Sequence, residues 1–293
     1  MKVDMVMWTK NGAETLPLVL KRIGEVIPDK SVNKRVIVDD HSSDSTREIA
    51  ESFGWTVVSN EGKGISDGAN NALKQVESDY FISFEQDLLL AHDWWQKIRQ
   101  YLLDEHTAVA SGLRLSSQPA DLRKLQEYAT ERIQKEENNS DSFLYGKTLD
   151  NTIYKTEVIR QLGGFPKLPF SAGVDNVLAQ RVHLNGFQWK VDYSVRSIHL
   201  RKGLREELKH CYWYGTCFNA LIPLLSGKIV DIQPQILRLL FSPLRGLEIA
   251  FKKNAPQVAF IYPLTRLAIL RGIIAGRKKK PIIKRQSTRG RIK

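Results

Sequence analysis

Three short polar clusters in this 293-residue chain hold side chains that could do chemistry: Thr9-Lys10-Asn11, Asp39-Asp40-His41-Ser42 and Glu85-Gln86-Asp87. Each directly follows a β-rich run. Glu85 and Asp87 flank Gln86, so an extended backbone turns both carboxylates to one side. Such a pair suits a hard divalent ion, since Mg²⁺ or Mn²⁺ takes one or two protein carboxylates and completes its shell with phosphate oxygens. Two acidic clusters brought together repel unless a cation or a donor-rich ligand compensates. Standing alone, an acidic pair at a strand end serves equally well as a helix cap or a solvated turn.

The elements needed to gather these clusters are legible in the first 110 residues. Val3 to Thr9, Arg35 to Val38, Trp55 to Ser59 and Tyr80 to Phe84 read as strands. Leu16 to Val26, Ser45 to Phe53 and Ser66 to Gln75 read as helices between them, with Ser42, Ser43 and Asp44 offering capping chemistry for the second. This alternation predicts an α/β domain with a mostly parallel sheet and helices on both faces. Ligands of such sheets bind beyond the carboxyl ends of the strands, where all three clusters fall.

Charge separates the chain into unlike halves. The formal net charge is +12, with 44 Lys+Arg against 32 Asp+Glu. Leu200 to Lys293 holds 20 of those cations and only 4 of the acids, so the first 199 residues are mildly acidic. A nucleic-acid reader usually shows a basic face through its folded domain, so no nucleic-acid partner is expected. Cys211 and Cys217 have neither the number for a disulfide framework nor the spacing for a zinc site. The N-terminus lacks the apolar segment of a secretory signal, which leads us to expect a cytosolic face.

The basic portion is apolar in patches. Residues 201–276 read as a helical, membrane-associating region, and 277–293 as a polybasic tail with nine cations and no acid. No uninterrupted apolar run reaches the ~18–20 residues of a spanning helix. Around Pro243, apolar residues from Ile236 to Phe251 alternate with Arg238, Arg245 and Glu248, the pattern of an interfacial amphipathic helix broken at the proline. The alternative is a set of core-packing helices. Tyr212-Trp213-Tyr214 suits either a headgroup-level belt or the core, and Trp94-Trp95 either a pocket wall or the core.

Taken in order, the motifs resemble those of family 2 inverting nucleotide-sugar glycosyltransferases, which have the GT-A fold, a Rossmann-like nucleotide-binding sheet. Trp8-Thr9-Lys10-Asn11 with Glu14 matches the end of the family's first strand. Val38-Asp39-Asp40-His41-Ser42-Ser43-Asp44-Ser45-Thr46 matches its V-D-D-G-S-x-D-x-T signature. Gly64 and Gly68-Ala69-Asn70 match a helix start, and Glu85-Gln86-Asp87 the D-x-D metal motif. Leu162-Gly163-Gly164-Phe165, then Val174-Asp175 with Leu178, Arg181 and Gly186, match the acceptor-side signatures, and His199 a metal-proximal histidine. Trp8 replaces the usual Pro, Glu85 the first Asp of the metal motif, and Val174 the Glu that normally precedes Asp175.

The resemblance implies roles. Asp39 accepts a hydrogen bond from the nucleobase, and Thr9 and Asn11 wall the base and ribose. Asp40 and Glu14 lie at the same pocket or cap turns. Asn70 and Gln86 belong to the donor site, and Glu85 points to the ribose or the ion. Asp87 and His199 hold Mg²⁺ or Mn²⁺, and Asp175 is the general base. The donor is then a UDP- or GDP-linked sugar. The acceptor is a glycan hydroxyl or a lipid-linked group, including a polyprenyl phosphate that needs no base. Residues 1–200 form the catalytic domain, placed by the basic rear on the anionic cytoplasmic surface of the cell membrane as a peripheral or monotopic protein. A nucleotide-sugar-binding protein impaired in catalysis is the remaining alternative.

Overall fold

The computed structural model describes residues 1–117, 120–136, 147–168, 172–200, 203–226 and 230–277. The polybasic tail beyond Arg277 lies outside these residues. The chain folds as two compact units, Met1–Leu115 with Asn139–Leu200, and Ser116–Asn138 with Arg201–Lys293.

The first unit is built on an eight-stranded sheet in the order β3-β2-β1-β4-β7-β6-β8-β5. Strands β1 (Val3–Thr9), β2 (Val32–Asp39), β3 (Thr56–Ser59) and β4 (Tyr80–Phe84) run parallel. Beyond β4 the sheet reverses. Strand β7 (Thr152–Lys155) is antiparallel to β4, and β6 (Thr107–Ser116) is antiparallel to β7. The two-residue β5 (Leu88–Leu89) pairs antiparallel with β8 (Gln188–His199). The parallel order expected from the sequence therefore holds for one side of the sheet only.

Every residue of β1 is buried, as a strand covered on both faces requires. Its side chains alternate between two cores. Val3, Met5 and Met7 pack with Leu16, Val19, Leu20 and Ile23 of α1 (Leu16–Val26) and with Trp94 and Ile98 of α4 (Trp94–Ile98). Val6 and Trp8 pack on the other face, with Ala69, Ala72 and Leu73 of α3 (Gly64–Gln75) and Leu178 and Val182 of α7 (Val174–Leu184). Among the described residues this unit also has the helices α2 (Thr46–Ser52) and α6 (Thr156–Gln161). Trp94 and Trp95 are core residues, at 0% and 6% exposure.

Asp4 secures the opposite end of the sheet. Its carboxylate accepts the backbone N–H groups of Glu77 (2.6 Å) and Ser78 (2.8 Å), the Ser78 hydroxyl (3.0 Å) and the Asn33 amide (2.9 Å). Burial alone would raise its pKa, but these donors outweigh burial and hold the carboxyl below its ordinary value.

The second unit is helical: α5 (Ala120–Glu136), α8 (Gly203–Ser226), α9 (Gln233–Leu240), α10 (Ser242–Lys253) and α11 (Val258–Arg277). The sequence reading put α5 in the front domain. Instead it packs here, with Leu125 and Tyr128 against Ile249, Val258 and Tyr262. Arg245 donates to the Tyr128 hydroxyl (2.7 Å), and the Gln257 N–H donates to Asp121 (2.9 Å). The expected break at Pro243 comes earlier, at Phe241, and Pro243 occupies the first turn of α10, where its missing N–H costs nothing. Helices α8 and α11 touch backbone to backbone, because a methyl at Gly272 would run into the Tyr212 carbonyl.

The Asp4 network predicts an acid-sensitive contribution to stability. Replacing Asp4 by Asn should cost about 1–3 kcal/mol at pH 7 in urea unfolding. A depressed pKa stabilises fully above the ordinary carboxyl value of about 3.9 and is lost as pH falls through the folded-state value. The gap between wild type and Asp4→Asn should therefore close in acid, and a gap that stays constant with pH would contradict the assignment.

Candidate active site

Parallel register brings the first two clusters together. Thr9 pairs with Asp39 across β1 and β2, and the Asp40 N–H donates to the Thr9 carbonyl at 2.8 Å. Asn11 takes a left-handed conformation at φ 50°, which its short polar side chain tolerates. Its N–H donates to Ser42 Oγ and its side-chain carbonyl accepts the Ser43 N–H, both at 2.8 Å. Asp44, just ahead of α2, accepts the Thr46 N–H at 3.1 Å. Ser42 and Ser43, expected as caps, instead join the two loops.

Asp39 ends β2 at 1% exposure. One carboxylate oxygen accepts the Ser42 N–H (3.1 Å) and Arg47 (3.4 Å). The other, Oδ1, is buried with no hydrogen-bond partner among the described residues. An unpaired buried oxygen is costly, and an N–H donor on a bound base would satisfy it. For Asp40, burial would raise the pKa, but the Asn60 amide (2.8 Å), the Gly64 N–H (3.3 Å) and Lys10 (3.4 Å) overcome burial and lower it. Glu14 is exposed in the turn before α1.

Gln86 lashes the third cluster to the first. Its amide oxygen accepts the Thr9 hydroxyl and the Lys10 N–H (2.9 Å), while its NH₂ donates to the Lys10 carbonyl (3.1 Å). Asn70 has a different task from the one expected. Its NH₂ donates to the Ser66 and Phe165 carbonyls (2.7 and 2.8 Å), and its oxygen accepts the Phe165 N–H (3.0 Å). It ties α3 to the turn at Gly163-Gly164-Phe165. Gly164 there has φ 76°, and a Cβ would sit 2.5 Å from the Asn70 oxygen.

Antiparallel pairing delivers the histidine. Leu88 pairs with His199, and the Leu200 N–H donates to the Asp87 carbonyl at 2.7 Å. His199 Nε2 then lies 3.3 Å from Asp87 and 3.9 Å from Glu85. Ligand atoms of Glu85, Asp87 and His199 all fall within 4.8 Å of one another. Two carboxylates and an imidazole at that spacing fit a divalent cation of the Mn²⁺ or Mg²⁺ kind.

Two further residues complete the arrangement. Arg114, on β6, reaches Asp150 at 3.1 Å and Glu85 at 3.6 Å. Burial opposes its charge, but the fields of Asp150, Glu85 and Asp175 prevail and raise its pKa above the usual value. Asp175 opens α7, with Oδ1 accepting the Asn176 N–H at 2.9 Å. Burial pushes its carboxyl up to about 6, against the lowering pull of that N–H and of Arg114. Such a carboxyl is poised to take a proton near neutral pH.

A three-layer α/β unit with carboxylates and a metal-type cluster gathered at one sheet edge has the architecture of the GT-A class. Residues 4–163, more than half the chain, match the family described as Glycosyl transferase family 2, and the chain belongs to that family. Curated protein sequences provide no match. Among solved structures, the chain resembles a mannosyltransferase from Pyrobaculum calidifontis in complex with GDP-Man and Mn²⁺, with a TM-score of 0.67 at 17% identity over 96% of this chain and 88% of that one. It also resembles S. aureus TarS 1-349 in complex with UDP-GlcNAc, with a TM-score of 0.55 at 13% identity over 95% and 92%. Glucosyl-3-phosphoglycerate synthase from Mycobacterium tuberculosis, in complex with Mn²⁺ and UDP, gives 0.54 at 18% identity over 78% and 81%. At these identities the likeness is one of fold.

The assignments separate under mutation. His199→Ala should weaken Mn²⁺ binding, measured by calorimetry with a nucleoside diphosphate present, by at least about tenfold, since even outer-shell changes cost 10–100-fold. Asn70→Ala should lower stability by about 1–2 kcal/mol and leave that affinity unchanged.

Proposed function

We propose that this glycosyltransferase moves a sugar, with inversion, from a uridine- or guanosine-diphosphate donor to an acceptor met at the cytoplasmic surface of a membrane. One observation carries the reading: Arg114 bridges the metal-type carboxylate Glu85 and the environment of Asp175, so a base and a leaving-group site share one charge network. The unpaired oxygen of Asp39 and the relatives' nucleotide complexes support the choice of donor.

In this reading Asp39 accepts a nucleobase N–H, while Thr9 and Asn11 wall the base and ribose. Glu85, Asp87 and His199 hold the divalent cation, which would supply charge neutralisation at the departing diphosphate. The acceptor oxygen attacks the anomeric carbon from the face opposite the diphosphate. As the new C–O bond forms and the old one breaks, Asp175 takes the hydroxyl proton. The catalytic residues belong to the first 200 residues, and the rear of the chain places them at the lipid surface.

Melting-temperature shifts with UDP- and GDP-sugars, with and without Mn²⁺, test the donor, because a ligand that binds the folded state stabilises it by mass action. Only a metal-dependent shift supports the proposal. Asp175→Asn should lower kcat on a hydroxyl acceptor by about 10²–10⁴. Retention of most activity on a polyprenyl phosphate would identify that acceptor instead. With a carboxyl near 6 acting as base, transfer to a hydroxyl should fall as pH drops through about 6, because the protonated form cannot accept a proton. Asp175→Asn should lose that acid limb.

A further inference from the structure

In the helical unit, large apolar side chains stand in solvent in two runs. On α9, α10 and the residue between them, Leu240 (67% exposed), Phe241, Leu244 and Phe251 (85%) stand exposed, with Leu244 four residues after Leu240, three after Phe241 and seven before Phe251. That spacing draws one stripe down a helical surface. On α11, Phe260 (75%) and Leu264 begin a second stripe that Ile274 continues. The opposite side of α11 is occupied: Gly272 abuts the Tyr212 carbonyl of α8, and the Asn219 amide of α8 donates to the Ile273 carbonyl at 2.8 Å.

We propose that these stripes seat on an anionic lipid bilayer, with α9, α10 and α11 lying in the plane of the interface. The proposal deepens the membrane-surface reading above and rests on it. Charge selects lipid over a protein partner. Residues 230–277 carry seven Lys and Arg against two acids, and of the acids Glu248 is already bonded to Arg245 and Lys252. Lys253 is likewise paired with Glu131, and the excess of cations that remains beside Leu and Phe is the composition of a helix held at an anionic headgroup layer, its long cations reaching back to the phosphates.

The same geometry decides how the helices lie. Among the described residues α11 is the one helix long and apolar enough, by length and composition, to cross a membrane. It has one face packed on α8 and carries Arg266 and Arg271 within its length. Helices α9 and α10, with 8 and 12 residues, fall short of the ~20 needed to span. Burial of one face with exposure of the other is the signature of a helix lying along a surface.

Flotation of the full chain with phosphatidylcholine vesicles, with and without phosphatidylglycerol, tests the seat. The chain should float with the anionic vesicles and less so at high salt. The combined change Leu240→Asp, Leu244→Asp and Phe251→Asp should lower partitioning at least about tenfold. These side chains are exposed, so the variant should keep its melting temperature and its nucleotide-induced shift. Equal flotation of the variant would overturn the proposal. So would a wild type that ignores vesicles but sediments as a dimer that the same changes break. Fluorophores attached through Phe260→Cys and Ile274→Cys, with Cys211 and Cys217 replaced, should report equal depth against headgroup and acyl-chain quenchers. A spanning helix would separate them by about 20 Å, at 1.5 Å per residue. A wild-type chain that transfers to a soluble acceptor but does not float with anionic vesicles would reject the seat while leaving the transferase reading in place.

Discussion

Carboxylates crowded at one edge of a sheet repel one another, and the guanidinium of Arg114 is what allows Glu85, Asp150 and Asp175 to share that edge. At an effective dielectric of about 20, two like charges 4 Å apart cost roughly 4 kcal/mol, so an unrelieved triad would push protons onto some members. Arg114 sits between Glu85 and Asp150, and its field also reaches Asp175. Their surroundings differ. Asp150 is fully buried against the guanidinium, Glu85 is shared with the histidine cluster, and Asp175 is desolvated enough to rise to about 6.

The change of strand direction halfway across the sheet is what assembles this set. In the parallel half, polar residues follow their strands, and the rule that ligands sit beyond carboxyl ends found them: Thr9, Asp39 and Glu85 arrive at one edge through the registers of β1, β2 and β4. In the antiparallel half the rule inverts for alternate strands. Strand β7 runs against β4, so residues just before it, Asp150 and Asn151, emerge beside Glu85. Strand β6 reverses again and brings Arg114 to the same place. A pass along the sequence looking only after strands misses both. The signal that could have found them is a lone Arg in the apolar run Thr107–Ser116 and an Asp-Asn pair immediately ahead of Thr152.

Other parts were legible to different degrees. The helices and strands of the first 90 residues followed from periodicity, since each apolar face meets one of two cores. The gathering of His199 and Asp175 at this edge was legible only through a resemblance of motifs, because nothing local marks a histidine at a strand end as the neighbour of two carboxylates. Asn70 fitted a nucleotide-side motif, yet its amide is consumed in holding the turn before Phe165. Helix α5 has the composition of a solvated surface helix. Its partners lie more than a hundred residues away, beyond the reach of any local pattern.

The lashing of Asn11 to Ser42 and Ser43 has a consequence for recognition. In the proposed donor site, with the two loops sewn together and Gln86 clamping the same backbone from the other side, the nucleoside wall is held by contacts within the chain itself. Binding there forfeits little loop entropy, so affinity is not eroded by ordering. A wall that does not yield also rejects by shape. Under the proposed reading, a base of the wrong size would meet fixed backbone on one side and the open acceptor of Asp39 on the other, and discrimination between purine and pyrimidine would be a matter of rigidity as much as of contact.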